Sequence, residues 1–188
     1  MVRVTDASGL RAALERSGGT VTDFLELLVG ERIEAHGRHH ATIGAPASSP
    51  LQVETGRPLL QRTATLRGRP SGRAYVYAAS VIVTSRLPAW FAPRLESSSD
   101  PIGGMLRQAG LDITRRELAE ADNPVAAHVA VAECLLARTY RIDAGPTPLM
   151  VITEWFLPTL RPFLSGAAGT VDGHGRPVAD DDPGERDS

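Results

Sequence analysis

Lysine is absent from this chain of 188 residues: all 20 basic side chains are arginine. That excludes chemistry run through a lysine amine, namely Schiff bases, pyridoxal phosphate enzymes and the lysine of a phosphate-binding P-loop. Cysteine occurs once, at Cys134, which excludes an intrachain disulfide and a cysteine-rich zinc site. With no nucleophile signature around it, Cys134 is expected to be a small buried hydrophobe. No apolar run approaches the roughly 20 residues of a membrane span. The opening Met1-Val2-Arg3-Val4-Thr5-Asp6 carries no apolar signal region. The expectation is a cytoplasmic protein with no membrane partner.

A large excess of charge of either sign is also lacking, and what charge there is is unevenly spread. The formal net charge is -2. Residues 165–188 hold six acids and two arginines, leaving 16 acids against 18 arginines in residues 1–164. That balance gives no nucleic-acid-binding surface, but it allows local positive potential for a small anion. Composition is otherwise that of one globular domain, 42% hydrophobic and 22% charged. The predicted organisation is a folded domain over 1–164 and a disordered acidic tail over 165–188, where Gly, Ala, Asp and Pro leave almost nothing to bury.

What the chain does have is strand pattern. Leu149 to Pro158 is apolar, β-branched and aromatic, bounded by Pro148 and Pro158. By alternation Met150, Ile152, Glu154 and Phe156 share one face. A carboxylate there must be paired, protonated or open to a cavity, because burying it alone is costly. Leu135 to Asp143 alternates in the same way, with Leu136, Arg138, Tyr140 and Ile142 on one face. Gly145-Pro146 turns it into the next strand as a hairpin. Leu59 to Leu66 places Leu60, Arg62, Ala64 and Leu66 on one face. After the Arg67–Gly72 turn, Tyr75 to Thr84 completes another hairpin.

Helical pattern is weaker. Leu10 to Arg16 predicts a helix ended by Gly18-Gly19, and Thr20 or Thr22 caps a second that Gly30 ends. Glu31 to Ala41 alternates loosely as a strand. Asp100 is expected to cap a short helix with Pro101 at its first position, running through Met105 to Gln108. Residues 114–121 fit a strand or a helical turn equally, and Pro124 to Cys134 is helix-like. The fold class is α+β, with antiparallel hairpins forming one sheet and helices on one face.

Arg62, Arg138 and Glu154 each sit on a strand face whose neighbours are apolar. Each alone is explained by a salt bridge on a solvated face; the three together point to a polar site inside an apolar cavity. Arginine forks a carboxylate, and a glutamate addresses a hydroxyl or a proton. His36, His39 and His40 match no zinc spacing and belong to a solvated loop or strand end; His128 is expected to be packed or on the surface. No metal or cofactor motif is present.

These residues resemble those of the chorismate pyruvate-lyase family, which forms 4-hydroxybenzoate. The family carries Thr-Glu-x-Phe-Leu-Pro after an apolar strand, matched here by Thr153-Glu154-Trp155-Phe156-Leu157-Pro158. The hairpin Ala137 to Ile142, the strand Leu60 to Leu66 with its arginine, Tyr77 to Ile82, Pro101-Ile102-Gly103 and Leu27-Leu28-Val29 followed by Ile33 match in order, over roughly residues 22–163. Two features depart. Ala79 stands where relatives often have a basic residue, and Ile33 and Ile102 replace methionine and leucine, which conserves volume.

The resemblance implies a single antiparallel sheet with helices on one side and flap segments over a buried ligand pocket. It implies a cofactor-independent lyase acting on chorismate or a similar carboxylate. Arg62 would bind the ring carboxylate and Glu154 the ring hydroxyl, with Ile33 and Ile102 in the flaps. Arg138 is added from the strand pattern, for a second carboxylate or as an ion-pair partner. Two alternatives stand beside this. One is a non-catalytic effector-binding domain of the same fold, as in one class of bacterial transcription regulators. The other is a lyase-like enzyme repurposed for another biosynthetic step.

Overall fold

The computed structural model describes residues 7–119, 131 and 133–164. In chain order the elements are α1 (Ala7–Ser17), α2 (Val21–Val29), β1 (Ile33–Gly44), β2 (Pro58–Gly68), β3 (Ala74–Ile82), α3 (Phe91–Ser97), α4 (Ile102–Gln108), β4 (Ile113–Leu118), β5 (Leu136–Ala144), β6 (Thr147–Phe156) and α5 (Arg161–Leu164). The strands form one six-stranded antiparallel sheet in the order β1-β2-β3-β6-β5-β4.

Both predicted hairpins form. β2 pairs with β3 and β5 with β6, and the two meet at a β3–β6 pairing in the middle of the sheet. Residues opposite one another across these pairs point to the same face. Arg62 lies opposite Ser80, Ser80 opposite Ile152, and Ile152 opposite Tyr140. The adjacent row runs Ala64, Ala78, Glu154 and Arg138.

That face is covered by helices in two apolar clusters. In one, Leu10 and Leu14 of α1, Phe24 and Leu25 of α2 and Leu164 of α5 pack on Leu66, Val76 and Phe156. In the other, Phe91 and Leu95 of α3 and Met105 and Leu106 of α4 pack on Ile82, Ile142 and Met150. The rows holding Arg62, Ser80, Glu154 and Arg138 lie between them. The opposite face buries Leu59, Ala79, Val81, Val151 and Trp155 against Ala45 and Leu51 of the β1–β2 connection. Arg86 ties that connection down by donating to the Leu51, Gln52 and Pro148 carbonyls.

Local chemistry sets the helix ends. Thr20 caps α2 in a capping box with Asp23, and Gly30, at φ +73°, ends it with its N–H on the Glu26 carbonyl. At α4 the expectation needs correcting. Pro101 itself is the capping residue, and no side chain caps the helix. Asp100 instead receives the Arg94 guanidinium at 2.7–2.8 Å, because an aligned arginine on α3 competes better than one backbone N–H. Residues 114–118 belong to strand β4. The expected helix over 124–134 falls largely outside the described residues, as do His128 and the acidic tail. Cys134 is exposed, not buried.

Candidate active site

Glu154 is 2% exposed and is held by two donors from β5. Arg138 Nε donates to its Oε2 at 2.7 Å, and the Tyr140 hydroxyl donates to its Oε1 at 2.8 Å. Strand geometry explains the convergence: Arg138 is directly opposite Glu154, and Tyr140 is two residues along on the same face. The Arg138 guanidinium also lies over the Tyr140 and Phe156 rings, 5.0 and 5.7 Å from their centroids. Burial works against the charged form of Arg138, yet the Glu154 carboxylate raises its pKa above the ordinary value. Burial and the same carboxylate push the Tyr140 hydroxyl well up, so it stays a proton donor to Glu154.

Arg62 is 4% exposed and its situation is the reverse. Its Nε and Nη2 are buried without a hydrogen-bond partner, and no acid pairs with it among the described residues. Burial, and then the charge of Arg38, lower its pKa to about 10. Buried guanidinium N–H groups left unpaired are rare, because each forfeits its hydration with nothing in return. Arg62 and Glu154 lie on one face, two strands and two residues apart, which places their Cα atoms about 12 Å from each other.

The remaining predicted residues are placed as follows. Arg138 takes the ion-pair position on Glu154. Ile33, at the start of β1, packs in the α1–α2 cluster, and Ile102, at the start of α4, packs in the α3–α4 cluster, 4% and 9% exposed. Thr153 and Trp155 point to the opposite face, where the Thr153 hydroxyl meets that of Thr139 at 2.9 Å. Ala79 also belongs to that opposite core. Its side chain therefore says nothing about a ligand beside Arg62; the β3 residues on the site face are Ala78 and Ser80.

Three residues of this face escaped the sequence reading. Tyr140 was legible from the same alternation that singled out Arg138, but an aromatic on an apolar face looks like core. Ser80 lies opposite Arg62 and donates to its carbonyl oxygen at 3.3 Å. His40 lies opposite Arg62 on the other side. A bulge in β1 between His36 and His39, with Gly37 at φ +58°, shifts the alternation by one. Ile33 and Ala35 before it, and His40 after it, thus share the site face. Burial, and then the charge of Arg62, lower the His40 pKa.

A cavity of about 360 Å³ adjoins the Glu154 end. It is bordered by Arg138 and Tyr140, by Arg115 and Glu117 of β4, and by Gly18 and Gly19 of the α1–α2 turn. A second of similar size flanks β1 and is bordered by Arg38, His40 and Glu96. Among the described residues no group of His, Cys, Asp and Glu side chains could hold a metal ion, and no helix is long and apolar enough to cross a membrane.

This site sits in a chain with named relatives. It is 34% identical over 112 residues to the chorismate pyruvate-lyase of Mycobacterium tuberculosis, 56% of this chain and 56% of that one. It thus spans about half the length of those relatives. The chorismate pyruvate-lyase of Mycobacterium leprae is 28% identical over 152 residues, 77% of this chain and 72% of its own. Among solved structures, the effector domain of PhnF from Mycobacterium smegmatis superposes with a TM-score of 0.45 at 12% identity, covering 75% of this chain and 90% of that domain. The family model described as "Chorismate pyruvate-lyase Rv2949c-like" matches residues 16–164. The chain belongs to the Rv2949c-like chorismate pyruvate-lyase family.

Proposed function

We propose that this protein converts chorismate to 4-hydroxybenzoate and pyruvate, with Arg62 on the ring carboxylate and Glu154 on the ring hydroxyl. The observation that carries this is Arg62, a buried guanidinium with two nitrogens, Nε and Nη2, unsatisfied and no acid paired with it among the described residues. A carboxylate is the group whose two oxygens match that fork. Across the same sheet face Glu154 offers acceptor oxygens. Each already takes one bond, from Arg138 or Tyr140, and each keeps a lone pair for a ring hydroxyl. The carboxylate and hydroxyl of chorismate lie at opposite ends of one ring, and two side chains reaching across about 12 Å of sheet span such a ring.

The reaction asks for placement more than for a reagent. The ether C–O bond breaks and its electron pair leaves on the enolpyruvyl oxygen. The hydroxyl-bearing carbon loses its proton, and that C–H electron pair completes the aromatic ring. The enolpyruvyl fragment takes up a proton and becomes pyruvate. Holding one substrate conformer between two fixed polar anchors, with apolar clusters on both sides excluding water, lowers the barrier. Rigid anchoring is what the site offers: Glu154 is fixed by two donors, one of them itself stacked on aromatic rings.

The test is incubation of the purified protein with chorismate, with pyruvate followed by a coupled dehydrogenase and 4-hydroxybenzoate by chromatography. Equal amounts of the two products are expected. Binding of chorismate without turnover would favour the effector-domain alternative, and a different aromatic product would favour the repurposed enzyme.

A further inference from the structure

The cavity beside Arg138 and Tyr140 has no role in the anchoring described above, yet its charges are unbalanced. Arg11, Arg115 and Arg138 border it, against Glu15 and Glu117. Arg11 is committed: it pairs with Glu117 and donates to the Ala137 carbonyl. Glu15 is exposed on the last turn of α1. Arg138 gives Nε to Glu154 and has no other hydrogen bond among the described residues. Arg115 has neither a hydrogen bond nor an ion pair among the described residues.

Register places Arg115 usefully. It lies opposite Ile142 on β5, so it shares the site face with Tyr140 and Arg138. Its positive charge opposes the upward shift of the Tyr140 hydroxyl, which puts it within electrostatic reach of the group that holds Glu154. Leu14, Val21 and the Gly18-Gly19 turn border the cavity together with the guanidinium groups.

We propose that this cavity is the leaving-group subsite, and that Arg115, with the terminal nitrogens of Arg138, binds the carboxylate of the enolpyruvyl arm. The inference rests on the chorismate reading. In chorismate the ether is carried by the ring carbon next to the one bearing the hydroxyl. A ring whose hydroxyl meets Glu154 therefore sends its arm out at the Glu154 end, where this cavity opens. Arg62 and its neighbours Arg38 and His40 stand at the far end of the ring, beyond the arm's reach. The arm is also the part that becomes pyruvate, so the same cavity holds the departing fragment.

The experiment measures affinity by calorimetry on the full chain and its Arg115→Gln and Arg62→Gln variants. The probes are 4-hydroxybenzoate, which has one carboxylate, and 3-(1-carboxyethoxy)-4-hydroxybenzoate, a stable aromatic dicarboxylate that keeps the arm. Because Arg115 is exposed, its substitution leaves the fold intact. Arg115→Gln is expected to weaken the dicarboxylate about tenfold or more, the worth of one charge-assisted hydrogen bond, and to leave 4-hydroxybenzoate within about twofold. Arg62→Gln is expected to weaken both probes. The subsite is overturned if Arg115→Gln weakens neither probe or both alike, or if the unaltered protein binds the dicarboxylate no more tightly than the monocarboxylate; in those cases the ring-anchoring reading stands. Binding of neither probe by the unaltered protein overturns both.

Discussion

A base whose pKa is depressed by burial costs stability wherever it stays charged in both the folded and unfolded states, which for Arg62 is everywhere below about pH 10. The fall of the Arg62 pKa from its ordinary value to about 10 corresponds to about 3 kcal/mol of unfavourable charge burial. Arg62→Met is therefore expected to raise stability to urea by about 1–3 kcal/mol while lowering 4-hydroxybenzoate affinity about a hundredfold. Parallel urea melts and calorimetry check the two halves. Glu154→Gln works in the other direction. It strands the mostly buried Arg138 and is expected to cost about 2 kcal/mol, a fully buried broken pair costing more. His40 adds a pH dependence. Its folded pKa lies below the ordinary 6.5, so below that pH the unfolded chain binds a proton that the folded chain resists. Stability carried by this group is present above pH 6.5 and falls as the pH drops below it. A carboxylate seated on Arg62 relieves the repulsion and draws the proton back. Affinity for 4-hydroxybenzoate is thus expected to rise from pH 7 to pH 5.5, and His40→Gln to flatten that rise. At this scale strand alternation was a dependable guide to each strand singly: it put Arg62, Arg138 and Glu154 each on the apolar side of its own strand, and the β3–β6 pairing then joins those sides into one face. It failed at His40, where the Gly37 bulge shifts the phase, and a one-residue phase shift leaves no mark in composition.

Among the elements, the contact between the start of α2 and α4 leaves no room for a side chain. A Cβ on Gly103 would stand 2.5 and 2.6 Å from Cγ2 and Cβ of Thr20. Thr20 is fixed by its capping box and cannot swing away. Arg107 of α4 adds an ion pair to Asp23 and a hydrogen bond to the Thr20 hydroxyl, so the two helices are latched at one point. Gly103→Ala is expected to push α4 off α2 and destabilise the fold by about 1–3 kcal/mol. Displacing α4 carries Ile102 with it, so ligand affinity should fall as well. Thermal melts together with calorimetry separate this variant from Arg62→Met, which loses affinity while gaining stability. The glycine after Pro101-Ile102 was visible in the sequence, but its reason was not, because it depends on a residue 83 positions earlier reached only through the fold. The hairpins were legible because turn residues and alternation agree there. Helix α3 was not, since Phe91 to Ser97 spans barely two turns and Pro93 interrupts any helical signal.

Over the whole molecule, one sheet face is divided into two apolar clusters with a polar row between them, and every strand of the central four contributes a residue to that row. Such a row is the kind of feature that folding alone does not favour, since filling it with aliphatic side chains would remove the unsatisfied Arg62 groups. Its stability is therefore expected to depend on ligand. At a 4-hydroxybenzoate concentration 100 times its dissociation constant, the protein should gain about 2.7 kcal/mol, and Arg62→Met should show almost none of that gain at the same concentration. Melting curves with and without ligand test this. The most direct measurement of the central claim is a crystal structure with 4-hydroxybenzoate bound. The carboxylate is expected within hydrogen-bond distance of Arg62 Nε and Nη2, and the phenolic oxygen on Glu154, with the ring between the two helical clusters. A carboxylate seated on Arg38 or Arg115, or a ring lying off this sheet face, would contradict it.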